Sequence, residues 1–420
     1  MDYKVYEYDN YNLYVINTTK FKSIIVSLTL INDFKEENLT KSALLRKLLT
    51  TSSKELKNEQ EVSKKVHDLY NSGIGISNEL YNKSMLTIFD IEFLEDKYTE
   101  EGLCKKALDY FFESIFNPNI IDDKFEEINF KLAKKNLSNY YDREKERKNG
   151  YALNKAYELL DEPNLRCKIN GDKDTLNKIT SADMVNYYNE IFKKGCANIF
   201  VIGNVNEEII NYINDNVKDK LHKNNNNFEF YNIIDEPKLK EKSDKENNNQ
   251  SKLVMIYKVL NMTDRERNVI LPIFNRIFGI GNNSKLFKVV REENSLCYDI
   301  RTIAQREESI ITAISGINKE SKDDVIRLTT AELTKIQNGE FTDDDLNEAK
   351  NQRLRILKSF EDDILSIVGI KLGAVLFKND DLDDRIKLVD TVTKEDIINL
   401  SGKLKLNVIY MLEGDKHEEN

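Results

Sequence analysis

Two long stretches of this 420-residue chain run through the same order of elements, and that repeat constrains the fold more than any other feature. In the first, "FKSIIVSLTLI" reads as a strand leading into the helix "TKSALLRKLLTTSS". A helix, turn and strand follow in "EVSKKVHDLYNSGIGISNEL", then the strand "SMLTIFDIEF" and the two helices of "EEGLCKKALDYFFESIFNPNIIDDKFEEINFKLAKKNL". In the second, "SKLVMIYKV" leads to the helix "RERNVILPIFNRIFG", then to "SKLFKVVREENSLCYDIRT", the strand "SIITAISGI" and the helices of "DDVIRLTTAELTKIQNGEFTDDDLNEAKNQRLRIL". Aligned in this way, "VVREENSLCYDI" falls under "KVHDLYNSGIGI", and "FTDDDLNEAKNQRL" under "IIDDKFEEINFKL". A duplicated domain accounts for the agreement. The strands are separated by helices but lack an even strand-helix-strand beat, which predicts an α+β fold. It has two homologous domains, each an antiparallel sheet covered by helices.

The boundary lies in residues 223–251, "KNNNNFEFYNIIDEPKLKEKSDKENNNQS", where two Asn runs, Pro237 and dense charge flank a short "FEFYNII" strand. Such a segment buries too little apolar area to offset its ordering entropy, so it is expected to connect rather than pack. The domains are therefore placed at 1–222 and 252–420, with 223–251 as linker. Both domains close alike. "SADMVNYYNEIFKKG", with Ser181 as N-cap, Asp183 in the first turn and Gly195 at the stop, runs into the strand "CANIFVIGNV"; "TKEDIINLSGKL" runs into "KLNVIYMLEG".

A formal net charge of −10 with 32% charged residues makes an acidic surface that phosphate backbones repel, which argues against nucleic acid as a partner. No window reaches the roughly 18 apolar residues of a spanning helix, and "MDYKVYEYDN" has no apolar signal core, so no membrane association and a cytoplasmic location are expected. Cys104, Cys167, Cys196 and Cys297 are scattered without metal-ligand spacing, which predicts reduced thiols. The three histidines, His67, His222 and His417, leave almost nothing from which to build a His-based zinc site or a Ser/His/Asp triad. In the opening helix, Leu44, Leu45, Leu48 and Leu49 form one buried stripe, and the helix carries no His, acid or Cys.

The repeat, the closing "DMVNYYNEIFKKGCANIFVIGNV" and above all "NNSKLFKVVREENSLCYDI" resemble the insulinase and mitochondrial-processing-peptidase family of zinc peptidases. The resemblance covers nearly the whole chain apart from the linker. It implies two homologous α+β domains forming half of a clamshell, with an inverted zinc motif, H-x-x-E-H, on the first long helix and a third ligand Glu further along. Here the motif positions fall on Ala43, Arg46 and Lys47. Ala43 has no donor atom, and the other two bring positive charge where a dication would sit. The third-ligand position falls near Lys135 and Asn136, which are not carboxylates; Glu144 or Glu146 would be a lone acid. Neither catalytic nor metal-ligating residues are therefore expected in this chain.

The family also places an arginine and a tyrosine seven residues apart in its C-terminal domain, matched here by Arg291 and Tyr298. By resemblance these are substrate-binding residues that reach the peptide backbone at a partner's zinc. Guanidinium and phenol donors suit that task, since they hold a carbonyl and stabilise the oxyanion formed when zinc-bound water attacks. A chain with the pair and without the metal site implies division of labour in a bacterial heterodimer that processes peptides. This chain supplies the pair and no cofactor of its own; a homologous zinc-bearing subunit supplies the metal. The alternative is a purely structural peptidase-like binding protein with no role in proteolysis.

Overall fold

In the computed structural model, which describes residues 3–223, 232–246, 250–377 and 380–414, the alternating burial of Ser23–Asp33 shows how the first sheet is built. Ile24, Val26, Leu28 and Leu30 enter one core with Ala43, Leu44, Leu45, Leu48 and Leu49 of the opening helix, while Ile25, Ser27, Thr29 and Ile31 point to the opposite face and are also buried. Apart from Ser27 and Thr29 that stretch is apolar on both faces because both are covered, as buried strands are. The same alternation carries Phe89, Ile91 and Phe93, and Ala197, Ile199 and Val201, into this core.

Contacts divide the chain into two units. One holds Met1–Arg143, Cys167–Phe228 and Ile364–Leu372; the other holds Glu144–Arg166, Glu229–Asp363 and Gly373–Asn420. The first contains strands β1 (Lys4–Glu7), β2 (Asn12–Asn17), β3 (Ser23–Asp33), β4 (Ile74–Tyr81) and β5 (Ser84–Leu94). It also contains the two-residue hairpin β6 (Ile120–Ile121) and β7 (Lys124–Phe125), and β8 (Cys196–Gly203). Its sheet order is β1-β2-β8-β3-β5-β4. The second contains β9 (Lys240–Glu246), β10 (Ser251–Val259), β11 (Cys297–Gln305), β12 (Ile310–Ile317) and β13 (Leu404–Gly414), ordered β11-β12-β10-β13-β9. Read from its other edge, β9-β13-β10-β12-β11 repeats β2-β8-β3-β5-β4, so the duplication seen in the sequence is a duplication of topology.

Three sequence expectations need correction. The sheets are mixed: β2 pairs parallel with β8, and β9 parallel with β13, at equivalent places in the two units, while all other pairs are antiparallel. Side-chain periodicity does not encode strand direction, so the sequence was silent on this point. Part of the 223–251 segment also packs, because Lys240–Glu246 is the edge strand β9. A charged edge strand pairs through its backbone and needs few apolar side chains. Of the strand expected in 228–234, residues 228–231 lie outside the described residues, and Ile233 makes an isolated bridge to Leu260. Finally, the cap of the Ser181–Lys194 helix is Thr180, whose hydroxyl and Asp183 form a reciprocal capping box, with Ser181 inside the first turn.

Asp90 lies on the face of β5 shared with the fully buried Ser27, opposite which it pairs. Burial pushes its carboxyl up to about 6, with the neighbouring Ser27 hydroxyl opposing the rise and Glu79 adding to it. Its folded pKa thus exceeds the ordinary carboxylate value, so the native state holds this proton more tightly. The contribution is present below about pH 4 and is lost as pH rises through 6. Asp90→Asn should therefore match the wild type in urea unfolding at pH 4 and exceed it at pH 8, by up to about 3 kcal/mol. Equal stability at both pH values would show that the carboxyl is not strained.

Candidate functional site

The helix Leu39–Thr51 packs on the first sheet through its leucine stripe, and its other positions decide whether it can hold a metal. Ala43 is 1% exposed and sits inside the core. Lys47, one residue beyond Arg46, points to solvent. Arg46 is half-buried, and its Nη2 donates to the Asn170 side-chain oxygen at 2.5 Å. The Asn78 amide fits its neighbours when its oxygen faces Ser42 and Arg46, whose Nε is then 3.2 Å away. Asn170 in turn donates to the Tyr140 hydroxyl at 3.1 Å and accepts from Tyr141 through its backbone oxygen at 2.5 Å. Burial lowers the Arg46 pKa below its ordinary value.

This arrangement does not fit zinc. A guanidinium held by neutral amide oxygens stands at the central motif position, so the local charge opposes a dication and no lone pair is offered to it. On the Glu127–Asp142 helix the buried residues are Asn129, Phe130, Ala133, Leu137 and Tyr141, while Lys135 and Asn136 are exposed. Glu144 accepts a hydrogen bond from Asn154 at 2.8 Å, and Glu146 is exposed. His67 is on a helix surface with its Nδ1 3.9 Å from Asp68, His222 bridges Cys196 through the backbone, and His417 lies outside the described residues. Among the described residues no three His, Cys, Asp or Glu side chains are grouped to hold a metal ion.

In the second unit Arg291 and Tyr298 flank one tight turn. Arg291 belongs to the π-helical segment Phe287–Glu293, is exposed, and stacks its guanidinium 4.7 Å over the Phe287 ring. Its backbone oxygen accepts from Ser295 at 3.1 Å, and Leu296 donates to Val290 at 3.0 Å, which closes the turn. Ser295 has φ of 53°, and the residue beneath it in the repeat, Asn71, has φ of 65°. The left-handed turn is thus common to both units.

The difference lies one step further on. The β11–β12 register shifts between Cys297 and Asp299, so Tyr298 is the extra residue of a β-bulge and stands 48% exposed. β4 pairs with β5 without such a shift. A bulge turns a side chain out of the regular alternation of its strand and is a frequent device beside functional sites. Cys297 is buried, and burial first, then Asp299, pushes its thiol up to about 11, so it is no nucleophile. Family resemblance singled out Arg291 and Tyr298; the bulge that sets Tyr298 apart has no signature in the sequence. Nor does the Asn78, Asn170, Tyr140 and Tyr141 set around Arg46, whose members are far apart in the chain.

Comparison with known proteins agrees with this geometry. Residues 178–353 match the family model of the peptidase M16 inactive domain. A relative from Bacillus subtilis (strain 168), named probable inactive metalloprotease YmfF, is 23% identical over 406 residues, covering 96% of this chain and 95% of that protein. The crystal structure of a conserved protein from Enterococcus faecalis V583 matches with a TM-score of 0.91 at 24% identity, over 100% of both chains. A peptidase M16 inactive domain from Pseudomonas fluorescens matches with a TM-score of 0.79 at 16% identity, over 100% of this chain and 99% of that one. An arginine stands where the motif needs a carboxylate, and over its length the chain is similar to M16 peptidases of the inactive type.

Proposed function

We propose that this chain is the catalytically incomplete subunit of a zinc-peptidase heterodimer, and that it supplies Arg291 and Tyr298 to a homologous, zinc-bearing partner. One observation carries this reading: the two family sites have diverged in opposite senses. The metal helix has lost every ligand and has filled the central position with the Arg46–Asn170 pair. The turn in the second unit keeps Arg291 and Tyr298 exposed, with a bulge that singles out the tyrosine. An exposed guanidinium and phenol on one turn are of the types that can hold a peptide carbonyl. The zinc, in this reading, belongs wholly to the partner, and the substrate is a peptide.

We place the complex in the cytoplasm, on the strength of four free cysteines in a chain of acidic net charge. No helix among the described residues is long and apolar enough to cross a membrane.

Affinity capture of the tagged full-length chain from its native cells, followed by mass spectrometry, tests the partnership. A related chain carrying an intact H-x-x-E-H motif should come down with it, and mixing the two purified chains should give peptide cleavage that a chelator abolishes and that neither shows alone. Capture of partners without that motif, together with no activity on mixing, would replace this reading with that of a structural binding protein.

A further inference from the structure

A cleft of about 460 Å³ opens in the first unit where β5 and β8 end and the helices Leu103–Phe116 and Glu207–Val217 begin. That volume suits a small ligand. Its apolar part is made by Ile24, Leu108, Ile209 and the Tyr212 ring, of which Ile24 and Leu108 are each 1% exposed. Cys104 adds to this surface: burial first, then Asp96, pushes its thiol up to about 12, so it stays neutral.

The charge on the rest of the lining is unbalanced, since four carboxylates face two ammonium groups. Asp96 is spent on the backbone N–H groups of Gly102 and Cys104, each at 2.7 Å, where it closes the start of the first helix. Lys105 lies 5.2 Å over the Tyr212 ring. Glu101 and Glu208 are exposed, and their carboxylates make no ion pair or hydrogen bond among the described residues. Glu95 is the unusual member of the set. It is 5% exposed, its Oε2 accepts from Lys97 Nζ and Asn204 Nδ2, both at 2.9 Å, and its Oε1 is buried with no hydrogen-bond partner. Leaving a buried carboxylate oxygen unsatisfied is costly. The Lys97 side chain that covers it is 47% exposed, so it swings into water without loss of core packing.

We propose that this cleft binds a primary ammonium carried on a short apolar body. The ligand's ammonium replaces that of Lys97 on Glu95 and satisfies both of its oxygens, since an ammonium carries three donors. The open carboxylates of Glu101 and Glu208 draw it in, and its body lies on Ile24, Leu108 and Ile209. Lys97 is then an internal stand-in for the ligand. The source of the ammonium is a free amine or the N-terminus of a peptide. The site rests on the first unit alone and not on the role of Arg291 and Tyr298.

Calorimetric titration of the full-length chain at constant ionic strength tests the proposal, with phenethylamine, a tetrapeptide that begins with phenylalanine, and the N-acetylated copy of that peptide. Saturable one-to-one binding of the amine or the free peptide is expected, and none of the acetylated copy, which has lost the charge. Binding of the amine at least as tight as that of the peptide marks the free amine as sufficient; a tighter peptide assigns a peptide N-terminus. Glu95→Gln, and separately Glu101→Gln combined with Glu208→Gln, should each weaken binding by about fivefold or more. The second pair is exposed and unpaired, so it decides the matter even where Glu95→Gln fails to fold. Lys97→Met, which uncovers Glu95, should tighten binding by about threefold or more. Lys106→Met makes the same change of charge outside the cleft, where Lys106 lies 3.4 Å from Glu100, and should leave affinity as it was. Absence of saturable binding by both free amines, an acetylated copy that binds as tightly as the free peptide, or equal effects of Lys97→Met and Lys106→Met overturns the proposal.

Discussion

Under the proposed pairing with a zinc-bearing partner, Arg291→Ala and Tyr298→Phe will each reduce peptide turnover of the mixed chains about a hundredfold, the usual effect of removing one well-placed oxyanion donor, worth about 3 kcal/mol. Both side chains are exposed, so neither substitution opens a cavity, and the fold and the partner's zinc should be untouched. Arg291→Ala also removes the stack on Phe287, a loss of about 0.5–1 kcal/mol at an exposed site, too small to unfold the turn. Tyr298→Phe keeps the ring on its bulge and deletes only the hydroxyl, so its loss should fall equally on kcat and kcat/KM. Arg291→Ala should also raise KM, because in the proposed role the guanidinium orients the bound peptide. The double variant should lose less than the product of the single effects, since both donors serve one carbonyl region. Arg301, exposed on the same strand three residues beyond Tyr298, is the control and should be nearly silent when changed to Ala. Full activity in both variants, or equal damage at Arg301, would reduce this turn to scaffold.

Much of the fold is legible in the sequence because duplication doubles each signal. A strand or helix marginal in one half is supported by its counterpart in the other, and the strand orders of the two sheets confirm that pairing element by element. What the sequence hides is direction and fine register. β2 and β9 alternate no differently for running parallel to their neighbours, and β9, with charges on both faces, resembles a linker until its backbone pairing is seen.

The site divides in the same way. That Ala43, Arg46 and Lys47 cannot ligate a metal is legible, because it is a statement about residue types at fixed spacing. What took their place is not. Asn78 and Asn170 lie far from Arg46 in sequence, and an asparagine that caps a guanidinium looks in sequence like any loop asparagine.

Restoring the motif will not restore a metalloenzyme. The triple variant Ala43→His, Arg46→Glu, Lys47→His should purify with zinc well below one per chain and should cleave no peptide by itself. At position 43 an imidazole must enter a site that is 1% exposed and closely packed, an overpacking that costs about 1–3 kcal/mol. At position 46 the new carboxylate loses the salt-free but well-formed pairing of the arginine, and it meets the oxygens of Asn170 and Asn78 unless both amides turn over. The side chains of the neighbouring helix that enter the core of this unit, Ala133, Leu137 and Tyr141, offer no third carboxylate. Ligating histidines also depend on partners that fix their second nitrogen, and the surroundings here are built to hold a cation in place of a metal. The variant should therefore melt lower than the wild type by about 2–4 °C for each kcal/mol lost. Elemental analysis showing one zinc per chain, with chelator-sensitive cleavage, would mean that only the three substituted side chains separate this chain from an active peptidase.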